Sequence, residues 1–169
     1  MPSHQNQGMD VLINSLNTIE KLTGVFLVTR GKGRNPNIMT IGWLQGGIIW
    51  GRPILTVLVR PSRFSSVHLK ENPNFTVCVP TDNMKKEIEW CGSVSGVSVD
   101  KFQKTGFTPI YLEGFSVPTI QECPIAFECT VVQKTKVIET NFAQKIIDEY
   151  YASGDFHFVY YGEIIRIKR

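Results

Sequence analysis

The stretch RPSRFS, Arg60 to Ser65, places two arginines and two serines within six residues, directly after the strongly apolar run ILTVLV. Guanidinium groups make forked, charge-assisted hydrogen bonds to oxyanions. A helix opening near Ser62 would aim free backbone N–H groups and the positive end of its dipole at the same spot. Charge and donor count match a phosphate monoester held by Arg60, Ser62, Arg63 and Ser65; the alternative is a solvated helix start with an ordinary serine cap. A second set lies in CGSVSGVSVDKFQKTG, Cys91 to Gly106, where Ser95 and Gly96 form a backbone-exposing loop and Lys101 opens the next short helix. That loop is a phosphate cover or a plain surface loop, depending on whether it meets RPSRFS in space. The third set is NIMTIGW: Asn37 offers donor and acceptor together, Thr40 a hydroxyl, and Trp43 either an aromatic wall or a core side chain.

Acid–base and nucleophilic machinery is thin. The three histidines, His4, His68 and His157, have no serine, cysteine or aspartate beside them in a nucleophile pattern. His157 opens the last apolar run and can face a pocket or water; exposure is the expectation. Glu87 with Glu89, and Asp148 with Glu149, fit solvated helix faces. The four cysteines form no CxxC pair, so no metal set is assigned, and GKGR is too short for a Walker loop. No catalytic side chain is singled out. A bound cofactor is left to do the chemistry.

These residues need elements to hold them. At 169 residues, 42% hydrophobic and 20% charged, the chain suits one cored domain, residues 10–169, behind a flexible tail, residues 1–9. Asp10 can cap an amphipathic helix through Leu22. Strands are expected at VFLVTR, NIMTIGW, GIIW, ILTVLVR, FTVCVP, PIAFECTVVQKTKVIE (one strand or two) and FHFVYYGEIIRIKR. Short helices are expected after Ser62, with Phe64, Val67 and Leu69 inward, and over Met84 to Cys91, VDKFQKTG and FAQKIIDEYY. Strand-rich order with few helices points to a mainly β fold, an antiparallel closed or split barrel. The net charge of +3 is spread along the chain, which offers nucleic acid little, although Arg30, Lys32 and Arg34 share one loop. With no signal core, no bilayer-length apolar run and cysteines read as buried thiols, the expectation is a cytoplasmic protein away from membranes.

Together, N-x-M-T-x-x-W (Asn37, Met39, Thr40, Trp43), R-P-S-R-F-S, the Cys91–Gly106 stretch and ECPIAFEC (Glu122 to Cys129) follow one another in an order that resembles the flavin reductase-like FMN-binding split-barrel proteins, the flavoredoxin group in particular. The resemblance covers the chain from about Gly24 onward. It implies a six-stranded FMN-binding split β-barrel that forms a homodimer with FMN near the interface. Asn37, Met39 and Thr40 would line the isoalloxazine edge, with Trp43 close by. Arg60, Ser62, Arg63 and Ser65 would serve the phosphate and ribityl side, and Ser95, Gly96 and Lys101 would complete the phosphate pocket. His157 corresponds to an aromatic or histidine position near the flavin. GGIIWGRP, with Trp50 and Arg52, departs from the family's commoner small-residue stretch and alters the substrate side. The implied activity is hydride transfer from NADH or NADPH to flavin with onward electron transfer. The alternatives are a non-enzymatic FMN carrier or electron-transfer module, and more remotely a small barrel that binds nucleic acid.

Overall fold

The computed structural model describes residues 4–169. Helix α1 (His4–Leu22) leads into strands β1 (Val25–Thr29), β2 (Asn37–Ile41), β3 (Leu44–Ile49) and β4 (Arg52–Val59). Helix α2 (Phe64–Glu71), strand β5 (Asn74–Val79) and helices α3 (Lys85–Ser93) and α4 (Lys101–Thr105) follow. A small ribbon, β6 (Pro109–Ile110) with β7 (Thr119–Ile120), precedes β8 (Ile125–Lys136), helix α5 (Gln144–Tyr150) and β9 (Phe158–Lys168).

Seven strands make one antiparallel sheet in the order β2-β1-β5-β8-β9-β4-β3. Its two edges, β2 and β3, are consecutive in the chain, with only Gly42 and Trp43 between them. Two extended residues span only about 7 Å, so the sheet curls until its edges adjoin. The Leu58 N–H donates to the Trp43 carbonyl at 3.4 Å, carrying the β3–β4 ladder one residue further, up to this seam. The expected mainly β split barrel results, with seven strands rather than six because LQGGII pairs along its length with β4. The run from Ile125 forms one bent strand with two register shifts, at Glu128/Cys129 and Val131/Gln133.

β1 is buried at every position because it separates two apolar layers. Inside the barrel, Val25 and Leu27 pack with Val57, Phe75, Val77 and Phe127, and α1 adds Leu12 and Ile19. Outside, Phe26 and Val28 pack with Ile88, Cys91, Phe102 and Ile120 from α3, α4 and the ribbon region. All four cysteines are buried free thiols. α1 begins at His4, not at Asp10, and residues 4–9 are helical rather than tail, since Met9 packs on the barrel cluster. Residues 1–3 of the expected tail lie outside the described residues. Gly46 lets α1 approach β3: a Cβ there would lie 2.7 Å from Leu12 Cδ2. Among the described residues, no helix is long and apolar enough to cross a membrane.

Candidate cofactor-binding site

At the barrel seam lies a cleft of about 200 Å³. Met39, Thr40, Ile41, Gly42 and Trp43 form one wall; Leu58, Arg60 and Arg63 form another, with Gly92 and His157 completing the lining. Because β2 is an edge strand, alternate backbone N–H and C=O groups along it lack a sheet partner, which suits the polar rim of a flat heterocycle. The Thr40 hydroxyl is committed elsewhere, donating to the Ile88 carbonyl at 2.6 Å and tying β2 to α3. Trp43 serves as both wall and packing: its ring lies 4.8 Å from His157 and 5.0 Å from Tyr150.

The phosphate-type groups gather beside the start of α2. Asn37 is buried and donates to Ser65 Oγ at 3.0 Å, and Ser65 is itself fully buried. Gly96 sits against both elements. A Cβ there would collide with Asn37 Oδ1 and lie 2.9 Å from Phe64 Cδ1. The Ser95–Gly96 loop therefore does meet RPSRFS, with Ser95 itself exposed and accepting from the Val97 N–H at 3.3 Å. Arg63 occupies the N-cap position of α2 and is exposed; its side chain caps nothing and makes no hydrogen bond or ion pair with another described residue. Lys101 is buried, with its ammonium donating to the Cys91 carbonyl at 2.6 Å. Burial pushes the Lys101 pKa down; Cys91 opposes this in part, while Arg63 pushes it down further. Two mutually repelling cations beside an uncapped helix start match an anion in charge.

Other expected ligands do different work. Ser62 is not the helix cap; its N–H and hydroxyl both donate to the Asp155 carboxylate, at 3.3 and 2.5 Å. Arg60 donates to the carbonyls of Tyr150, Gly154 and Asp155 at 2.8–3.3 Å and lies 5.2 Å over the Tyr151 ring. These two side chains hold the segment after α5 rather than standing free. α2 buries Ser65, Ser66, His68 and Leu69, while Phe64 and Val67 are only half-buried, because the helix meets β1 through His68 and Thr29. His157, expected to be exposed, is 7% exposed, for Tyr151 Oη bonds its Nδ1 at 2.8 Å and Trp43 covers its ring. Burial, Arg60 and Arg63 lower its pKa to about 4 against the opposing pull of Asp155, so the imidazole is neutral near pH 7.

Gly42, Leu58, Gly92, Tyr151 and Asp155 belong to the cleft or its support and were not singled out from sequence. Only SGDFH, a turn-forming Gly-Asp before His157, carried a local signal for any of them. Among the described residues, no cluster of histidine, cysteine and acidic groups could hold a metal. Arg30 and Arg34, candidates for a nucleic-acid loop, are engaged internally, with the Tyr111 ring and with Glu71.

A split barrel with an anion-ready cleft at its open seam defines a class of cofactor-binding proteins. The chain belongs to the flavin reductase-like family, whose domain model matches residues 22–169. It is 30% identical over 142 residues to an uncharacterized protein from Archaeoglobus fulgidus, covering 84% of this chain and 70% of that one. Flavoredoxin from Methanosarcina acetivorans superposes with a TM-score of 0.68 at 29% identity, covering 86% of this chain and 67% of its own. Nitrilotriacetate monooxygenase component B from Bacillus cereus shares the fold, with a TM-score of 0.69 at 17% identity over 90% of this chain and 75% of that one.

Proposed function

We propose that this protein binds FMN in the seam cleft and catalyses hydride transfer from NADH or NADPH to the flavin, passing the electrons on to an acceptor. The observation that carries this reading is the convergence of an edge strand, an aromatic wall and Arg63 at one cleft beside an uncapped helix start, with buried Lys101 near enough to feel the Arg63 charge. The donor set fits the group: Arg63 and Lys101 retain N–H donors, and a Cβ at Gly92 would already lie 3.4 Å from Thr40 Cβ, so glycine keeps that side of the cleft low. Arg63, Lys101 and the first turn of α2 would hold the phosphate, with the Asn37–Ser65 pair and Gly96 shaping its surroundings. Met39 and Thr40 backbone, with Trp43, would take the ring.

When bound, FMN supplies a ring that accepts a hydride at N5 and releases the electrons to another molecule. The chain's own residues orient and exclude. Trp43 and Leu58 keep apolar surface at the cleft, limiting water. Burial keeps the Tyr151 phenol protonated, and His157 is neutral, so when Tyr151 donates to Nδ1 the ring proton sits on Nε2. Arg60 and Arg63 bring positive charge to the same cleft, where they would stabilise negative charge on a bound ring. We further propose a homodimer built on the exposed apolar face beside β3, and a reducing cytoplasm, which suits four free thiols.

The test is direct. Purified protein with FMN takes on a yellow colour and a flavin spectrum, and anaerobic mixing with NADH or NADPH bleaches both the nicotinamide and flavin bands. A colourless protein that does not bind FMN on titration overturns the cofactor assignment. Binding without nicotinamide oxidation leaves an FMN electron-transfer module.

A further inference from the structure

We propose that Asp155 is a positioning residue: its carboxylate, gripped by the N–H and hydroxyl of Ser62, clamps the segment after α5 to the start of α2 and so seats the His157 imidazole against Trp43 in the cleft. The clamp joins two parts of the chain 93 residues apart. On one side stands Ser62, in the link from β4 to α2, with both its donors on one carboxylate. On the other stands Asp155, held at φ +56°, a left-handed conformation that non-glycine residues adopt rarely and that asparagine and aspartate tolerate best. Two residues later the chain delivers His157, whose ring meets Trp43 at 4.8 Å and Tyr151 through Nδ1 at 2.8 Å.

The clamp is reinforced from the same link. Arg60 takes the carbonyls at both ends of the turn, Tyr150 on one side and Gly154 and Asp155 on the other. The carbonyl bonds hold the peptide groups on either side of Asp155, and a second point of attachment comes through its side chain. The two-donor grip on the Asp155 side chain supplies that second point of attachment. A left-handed residue held at two points has one orientation, and the following histidine inherits it. The proposal rests on the flavin reading only for what the cleft holds; the seating of His157 is a property of the chain itself.

The groups facing His157 are Tyr151 and Asp155 from its own segment, Arg60 from the end of β4 and Arg63 from the α2 cap. Their signs make the test decisive. Asp155 as a mere charge raises the His157 pKa, so deleting it without moving the ring lowers the midpoint further. If the carboxylate positions the ring, deleting it frees the imidazole into water, and the midpoint rises towards 6.5.

The experiment is an NMR titration of the imidazole signals of the flavin-free protein, with His157 assigned by the signal lost in His157→Gln. Asp155→Gly keeps the positive φ without strain and removes the carboxylate; Ser62→Ala removes the stronger donor and leaves the charge. The expected result is a rise of about one pH unit or more in both variants, with buried His68 unmoved as the folding control. An unchanged or lowered midpoint overturns the proposal, and Ser62→Ala alone decides if Asp155→Gly does not fold. FMN titration of the unmodified protein separately tests the flavin reading, so either can fail without the other.

Discussion

Arg60 and Arg63 are the same residue type three positions apart, and their surroundings give them different tasks. The Arg63 guanidinium is exposed and without a hydrogen-bond or ion-pair partner among the described residues, whereas that of Arg60 holds three carbonyls and overlies Tyr151. Arg63→Ala should therefore weaken FMN by about 1–3 kcal/mol, the scale of one lost charged hydrogen bond, while leaving the melting temperature nearly unchanged. Arg60→Ala should instead lower unfolding stability by about 1–3 kcal/mol, read by denaturant titration of the flavin-free protein. Equal effects of both on FMN alone would return Arg60 to the phosphate. RPSRFS was legible as a cluster, but the sorting of its members was not, because the partners of Arg60 lie some 90 residues further along. His157 carries a second residue-scale consequence. Its folded pKa of about 4 lies below the ordinary 6.5, so as pH falls the unfolded chain takes up the proton first. Its contribution is intact above 6.5, declines between 6.5 and 4, and amounts to about 3 kcal/mol at full loss. The stability gap between the natural protein and His157→Gln should narrow across that window; a gap independent of pH would mean the ring is not buried.

Strands were the most legible elements, since a β-branched run buried on both faces, such as VFLVT, has no competing helical period. Helix contents were legible and helix ends were not. α1 starts at His4 because Met9 finds the barrel, and α2 is headed by Arg63 because Ser62 finds Asp155. Both outcomes depend on tertiary partners that no local pattern encodes. The loop around Gly96 shows the same division: its glycine was visible, the reason for it was not. Gly96→Ala would push a Cβ into Asn37 and Phe64, displacing Asn37 from Ser65 or lifting the loop from α2. FMN affinity should fall by about tenfold or more, with a small stability change because the loop can yield outward. Gly162 gives the contrasting case in β9. A Cβ there would lie 2.6 Å from Phe75 Cε1 and 2.9 Å from Cys129 Cβ, in the barrel interior where nothing can yield. Gly162→Ala should destabilise the fold by about 1–3 kcal/mol through overpacking, measured by thermal or denaturant unfolding; an unaltered midpoint would mean the β8–β9 packing is looser than its geometry.

At the scale of the molecule, the face beside β3 is hard to account for in a protein that works alone. A groove of about 650 Å³ runs between α1, the β3–β4 hairpin and the end of β9, lined by Met9, Leu12, Ile48, Pro53, Ile164 and Ile167. Ile48, Trp50 and Ile165 stand 61%, 60% and 56% exposed around it. The hairpin turn places Trp50 at φ +54° and Gly51 at φ +70°. A two-residue hairpin of this kind is usually made with asparagine and glycine, and a tryptophan in the left-handed region costs about 1 kcal/mol or more. Keeping a large ring there, edge-on to Tyr161 at 6.0 Å, makes sense if its outer side is covered by another chain. From sequence, GGIIW was visible only as a short apolar strand, since exposure is a property of the closed barrel and not of the run. A second copy is the partner the family resemblance implies. Ile48→Asp sets a carboxylate on that face while leaving the barrel interior and the seam cleft untouched. Its desolvation in an apolar contact should weaken self-association by about 2 kcal/mol or more, seen in sedimentation as a shift from dimer towards monomer at equal concentration. A distribution identical to that of the natural protein would place any dimer contact on a different face.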